Sequence, residues 1–267
     1  MNPKDIIDKI IKKTDCEVEV YIIMSKNTSI VIRNQTIESI NEGKETGIAL
    51  RLIKDNRLGF AYSTDLNIED LISKAKKNAN ISPVDQNNIF PDFIKPTINM
   101  ELYDKEINKL SIEDKINFAL RIEQTAYSFD KRITKTEQVL FTDSESEIFI
   151  ANSNGFNSSY KTNVCGGMAS VIAEINGEME EGSSIVFVKK LKNFDPEKIG
   201  NEAGKNAIEL IGGKIIKSEK LPVIFCSEVA ADFVKVISGM LSADMIQKGK
   251  SAFVNKIGKK VASPIVN

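Results

Sequence analysis

Long stretches of this chain alternate apolar and polar residues with period two, and that alternation commits much of it to half-buried β-sheet. Val18, Val20 and Ile22 share one face of a segment from Glu17 to Met24, and Ile30 and Ile32 do so in a second from Ser29 to Ile40. Gly47 to Ile53 and Leu58 to Ser63 form a further pair across Lys54-Asp55-Asn56-Arg57, a polar connection of hairpin length. A meander of about four antiparallel strands is the expected result.

Helical signals stand apart from these strands. At the start, Asn2 can cap, Pro3 suits a first helical position, and Ile6, Ile7, Ile10 and Ile11 make one apolar stripe. Asn67 and Asp70 have capping-box spacing and open a helix through Lys77, with Ile68, Leu71, Ile72 and Ala75 inward. Pro83, Pro91 and Pro96 then break up a long connection of neither period, a length more often functional or domain-spanning than idle. Ser111 and Asp114 cap a second long helix, with Ile112, Ile116, Ala119, Leu120 and Tyr127 at helical spacing.

Strands resume at about Glu137 to Phe141 and Glu147 to Ala151, and a turn at Ser153-Asn154-Gly155 leads into Asn157 to Ile175. Gly166-Gly167 predicts a bulge or bend there. Asn176-Gly177 is a hairpin signal, and Ser184 to Lys190 returns. Asp195-Pro196 caps a helix ending at Gly212-Gly213; Leu221 to Cys226 reads as a short buried strand, and Glu228 to about Lys248 as the last helix. Helices and antiparallel strands in separate blocks give an α+β class of largely antiparallel sheets with packed helices. The expected division is an amino-terminal α/β domain over residues 1–190 and the start of a second, sheet-rich domain over 191–267.

Composition then limits the chemistry. The chain has no histidine, so it cannot by itself build a Ser-His-Asp or Cys-His nucleophile system or a His-ligated zinc site. Its 36 basic and 37 acidic residues leave a net charge of -1, which gives no electrostatic case for direct nucleic-acid binding. Cys16, Cys165 and Cys226 are odd in number, far apart and without CxxC spacing, which points to a reducing cytoplasm. The first residues lack a signal-peptide core, and no stretch approaches the roughly 20 apolar residues that span a bilayer.

Four local patterns invite functional readings that bland ones outweigh. Gly249-Lys250-Ser251 resembles the end of a phosphate loop, but Asp244 stands where the first glycine belongs and the preceding segment reads as helix. Glu178, Glu180 and Glu181 fit a solvated hairpin tip better than a cation site. Cys165 beside Gly166-Gly167 reads as a buried strand cysteine, since no histidine is present to activate it. Lys189, Lys190 and Lys192 lack the aromatic interleaving that single-strand binding uses.

Three ordered segments resemble the TldD/PmbA family. They are Gly47 to Arg51 with Leu58 to Leu66, then Ser153 to Phe156 with Tyr160, and the stretch from Ser238 through Phe253 continuing over Lys256 to Pro264. The family supplies two-subunit metallopeptidases, often labelled modulators of DNA gyrase. In its TldD-type subunit a helix carries HExxxH just upstream of a Gly-x-Ser-x-Phe segment, with a glutamate general base beside the metal. Counting back from Gly249 sets that motif on Val234, Lys235, Val236, Ile237, Ser238 and Gly239. Valine and glycine stand where the histidines would be, and lysine replaces the glutamate.

The resemblance therefore implies a PmbA/TldE-like subunit with no catalytic or metal residue of its own, Val234, Lys235 and Gly239 being the degenerate positions. It implies zinc only in a partner TldD-type subunit, assembly as a heterodimer or by self-association, and a peptide substrate met by antiparallel sheets. Family members continue beyond the Val-Ala-Ser-Pro segment, so this chain is expected to be the amino-terminal part of such a protein. Two alternatives stay open: a stand-alone peptide- or protein-binding regulator of the gyrase-modulator type, and a hydrolase using Cys165 or carboxylates.

Overall fold

The computed structural model describes residues 3–65, 67–92 and 100–264. Asn2, Leu66 and Pro96, invoked above as cap, hairpin flank and breaker, lie outside the described residues. The chain divides into two compact units, residues 1–213 and 214–267.

The first unit is built on one six-stranded antiparallel sheet. Its strands are β1 (Glu17–Arg33), β2 (Thr36–Lys54), β3 (Arg57–Ser63), β4 (Ile133–Asn152), β5 (Asn157–Ile175) and β6 (Glu178–Val188), in the order β3-β2-β1-β4-β5-β6. Four of them run 17, 19, 20 and 19 residues, where most strands have roughly 3–10. At about 3.3 Å per residue such strands are on the order of 60 Å long.

Helices α1 (Pro3–Lys13), α2 (Ile68–Ile81), α3 (Lys105–Lys109), α4 (Ile112–Phe129) and α5 (Pro196–Leu210) pack on the sheet in two groups. Near the start of β1, α1 and α2 bury Val18, Val20 and Ile22 with Ile48, Leu50 and Leu52 of β2. Toward its end, α4 and α5 bury Ile30 and Ile32 with Val139 and Phe141 of β4 and Cys165, Ala169 and Val171 of β5. All the β1 residues have the same parity, so both cores lie on one face of the sheet, separated along the strands.

Between the cores that face turns polar. The register sets Thr46, Met24, Glu147 and Lys161 in one row, Lys44, Lys26, Glu145 and Asn163 in the next, and Glu42, Thr28, Asp143 and Cys165 in a third. This polar belt corrects the expected strand count. Apolar alternation lapses at residues 25–28, 41–46 and 142–146, yet backbone pairing runs through all three gaps, so Glu137–Phe141 and Glu147–Ala151 are parts of one strand. The true turn lies inside the expected second strand, at Asn34 and Gln35, with φ of 52° and 56°.

Gly166-Gly167 is neither bulge nor bend, since pairing with β4 and β6 continues in register across it. A Cβ on Gly166 would meet the Phe187 ring at 2.3 Å, and one on Gly167 would meet Ile122 at 2.6 Å; the glycines serve close packing. The Asn176-Gly177 hairpin is present with φ of 50° and 85°. The caps at Asn67, Ser111 and Asp195 are present as read, Ser111 and Asp114 forming a full reciprocal capping box.

The first compact unit extends to Gly213, with α5 packed into the second core through Ile199, Ala203 and Ala207. In the second unit, α6 (Ser227–Met240) and α7 (Ala243–Gln247) are the helices. The expected strand at Leu221 to Cys226 is absent: this segment pairs with no strand among the described residues. The described residues of 214–267 contain helices and no strand.

Candidate functional site

α6 follows from its sequence: Val229, Phe233, Val236, Ile237 and Met240 recur at helical spacing, and Glu228 sits in its first turn. The helix is α-helical from Ser227 through Met240 without interruption, and it buries none of its residues. Val234 is 55% exposed, and its carbonyl accepts a hydrogen bond from Ser238 Oγ at 2.8 Å. A Cβ at Gly239 would meet nothing within 4 Å.

At 3.6 residues per turn, side chains five positions apart diverge by roughly 140° around a regular helix. Positions 234 and 239 therefore point to different sides of α6. Val234 and Gly239 carry no side-chain donor atom, and Lys235 is not among the Cys, His, Asp and Glu side chains that bind zinc. Among the described residues there is no cluster of three or more His, Cys, Asp or Glu side chains placed to hold a metal.

The other singled-out residues have structural partners. Cys165 is fully buried in the second core, and burial first, then the nearby Asp143 and Asp104 carboxylates, push its thiol up to about 11. A thiol so held is protonated at neutral pH and out of reach of substrate, the opposite of an activated nucleophile. Glu178 accepts the Gly212 amide at 2.8 Å and Glu181 accepts the Ser170 hydroxyl at 2.5 Å, so the acidic cluster is divided between two tasks. Beyond α7, the amides of Gly249 and Lys250 donate to the carbonyls of Ile246 and Met245 at 3.1 and 2.9 Å. Ser251 Oγ donates to the Met240 carbonyl at 2.6 Å, so this segment is a helix end and not an anion nest. Lys189 donates to Thr162 at 2.8 Å and Lys190 pairs with Glu101 at 3.0 Å.

A concavity that the sequence reading did not find lies on the polar belt. It has a volume of ≈ 250 Å³ and is lined by Met24, Ser25 and Lys26 of β1, Lys44, Glu45 and Thr46 of β2, and Glu145 and Glu147 of β4. Its floor is shared by three strands, so no contiguous motif marks it. The lapse of apolar alternation at matching positions of paired strands was the available signal.

Three family models match consecutive parts of the chain: PmbA/TldA metallopeptidase domain 1 over residues 18–79, the central domain over 105–211 and the C-terminal domain over 218–267. The chain belongs to the PmbA/TldD metallopeptidase family. A metalloprotease PmbA homolog of Buchnera aphidicola is 23% identical over 260 residues, covering 95% of this chain and 58% of that protein. A metalloprotease TldD homolog of the same organism is 28% identical over 262 residues, covering 92% of this chain and 54% of that protein. The chain thus spans little more than half the length of these relatives.

Among solved structures, a putative modulator of a DNA gyrase from Thermotoga maritima superposes with a TM-score of 0.87 at 24% identity, over 98% of this chain and 61% of that one. TldE from Thermococcus kodakarensis does so with a TM-score of 0.79 at 17% identity, over 95% and 58%. These two likenesses establish the α+β fold. The turn that carried part of the resemblance also has a visible purpose. Asn152 Oδ1 accepts the amides of Asn154 and Phe156, each at 3.0 Å, while Asn152 and Asn154 donate to the carbonyls of Pro91 and Phe90.

Proposed function

We propose that this chain is a PmbA/TldE-like, non-catalytic subunit of a cytoplasmic two-subunit zinc peptidase. In this reading a separate TldD-type chain holds zinc and hydrolyses peptide, while this one supplies walls and substrate contacts. Overall identity does not choose between the subunit types, since the chain is similar to both a PmbA and a TldD homolog. The observation that carries the choice is the 234–239 segment: Val234, Lys235 and Gly239 on an uninterrupted helix, in a chain without histidine. Cytoplasmic residence is supported by three free cysteines. No helix of the described residues is long and apolar enough to cross a membrane.

Co-expression with a TldD-type chain tests the reading. The expected outcome is a complex that survives size-exclusion chromatography and cleaves peptides, with this chain inactive by itself. Two chains that elute separately would overturn it. The regulator reading, in which this chain binds peptides without hydrolysing them, draws support from the polar groove on the sheet.

A further inference from the structure

Among the described residues, the polar belt is covered on its β4–β5 side and uncovered on its β1–β2 side. Over β4 and β5, Tyr103 Oη donates to Glu145 at 3.0 Å and Asn108 donates to Tyr103 at 2.7 Å. Asn163 is held between Asp104 and Asn108, donating to the Asp104 carbonyl at 2.7 Å and to Asn108 at 3.1 Å. Lys115, reaching down from α4, pairs with Asp143 at 2.5 Å and donates to Thr28 at 3.0 Å. Over β1 and β2 no described residue makes a comparable contact with the belt.

There Lys26 and Lys44 stand directly opposite each other across the strand pair. Like charges so placed repel, and stabilise a sheet less than opposite ones. Neither lysine forms an ion pair with a carboxylate of the described residues, although Glu145 is the register neighbour of Lys26 on β4. Glu145 is engaged by Tyr103, and Glu147 is paired loosely with Lys161 at 3.5 Å. The groove therefore sets Lys44 and Lys26, on β2 and β1, beside the half-buried Glu145 and Glu147 of β4, with Thr46 and Met24 in the adjoining row and Glu45 also in its lining.

The geometry points to a binding site for a short zwitterionic peptide, its free carboxylate between Lys26 and Lys44 and its free ammonium at Glu145 and Glu147. Dimensions agree with that ligand. Strands lie roughly 4.7–4.9 Å apart, so the midpoint of the lysine pair is about 7 Å from the β4 column. An extended dipeptide spans about 7 Å at roughly 3.3–3.6 Å per residue. A volume of ≈ 250 Å³ is enough for its bulk, since a water takes roughly 30 Å³. A simple anion would leave the carboxylate end unused, and a simple cation would leave the lysines unused. The site draws no residue from α6, so its failure would leave the subunit reading standing, and failure of complex formation would leave the site standing.

Calorimetric titration of the 267-residue chain with Ala-Ala, N-acetyl-Ala-Ala and Ala-Ala amide at neutral pH tests it. The free dipeptide should bind, and each blocked form should bind at least about ten-fold more weakly. A Lys26→Gln/Lys44→Gln variant should lose the preference for a free carboxylate and keep the preference for a free ammonium; Glu145→Gln should do the reverse. All four side chains reach solvent and the substitutions are near-isosteric, so circular dichroism should report unchanged folds. No binding of Ala-Ala at millimolar concentration, or equal binding of the three ligands, would overturn the inference.

Discussion

Individual side chains in this fold are set by their partners more than by their character. Glu123 is fully buried, and it accepts the amides of Asn34 and Gln35 at 2.9 and 2.5 Å and the Thr136 hydroxyl at 2.6 Å. It thereby holds the β1–β2 turn, whose two positive-φ residues lack the glycine that marks most such turns. That is why the turn was invisible in the sequence: its determinant lies nearly ninety residues away on α4. Glu123→Ala orphans several buried donors and should cost about 2–4 kcal/mol in urea denaturation. Cys165 was legible as a core residue from its place in a strand, and the structure gives the consequence. At mild alkaline pH, iodoacetamide should label exposed Cys226 in the native chain while Cys165 reacts only after denaturation, read by intact mass. Because its thiol is raised from 9.0 to about 11, the stability it contributes is present below pH 9 and lost as pH rises through 11. Cys165→Ala should flatten that alkaline decline in a stability-against-pH series.

At the scale of elements, local signals were legible and long-range ones were not. Caps at Asn67, Ser111 and Asp195 and the Asn176-Gly177 turn act within four residues, so the sequence displays them whole. Strand length is decided across the sheet, where hydrogen bonding to two neighbours carries β1 and β4 through a belt with no apolar alternation. The buried face of α4 shows the same contrast: Ile112, one of the apolar residues at helical spacing, is exposed, while Lys115 and Glu123 are buried because Asp143, Thr28, Thr136 and the hairpin amides receive them. Close helix–strand contact depends on glycines. A Cβ on Gly182 of β6 would lie 2.0 Å from the Ala207 amide of α5, whereas one on Gly239 of α6 meets nothing. Gly182→Ala should therefore destabilise by about 1–3 kcal/mol. Gly239→Ala should leave the denaturation midpoint unchanged or slightly raised, as helix propensity favours alanine by up to about 1 kcal/mol. Thermal and urea melts of the two variants check the contrast.

At the scale of the molecule, the two units differ in kind. Residues 1–213 carry both cores, and residues 214–267 leave Phe233, Val234, Val236 and Ile237 exposed along α6. The family and fold were legible because three ordered segments carry the resemblance, and each falls on a distinct place in the structure: the β2–β3 hairpin, the Asn152 turn and α6 with its exit. The binding groove was not legible, since its residues come from three strands far apart in sequence. In the proposed function this chain supplies no metal site and a TldD-type partner supplies one. Zinc stoichiometry measured by elemental mass spectrometry, on the purified chain and on its complex with a TldD-type subunit, tests this most directly. The prediction is no bound zinc on the isolated chain and one zinc per histidine-bearing partner in the complex, with peptide cleavage following the partner's metal. Stoichiometric zinc on this chain alone, or metal-dependent cleavage by it without a partner, would contradict the account.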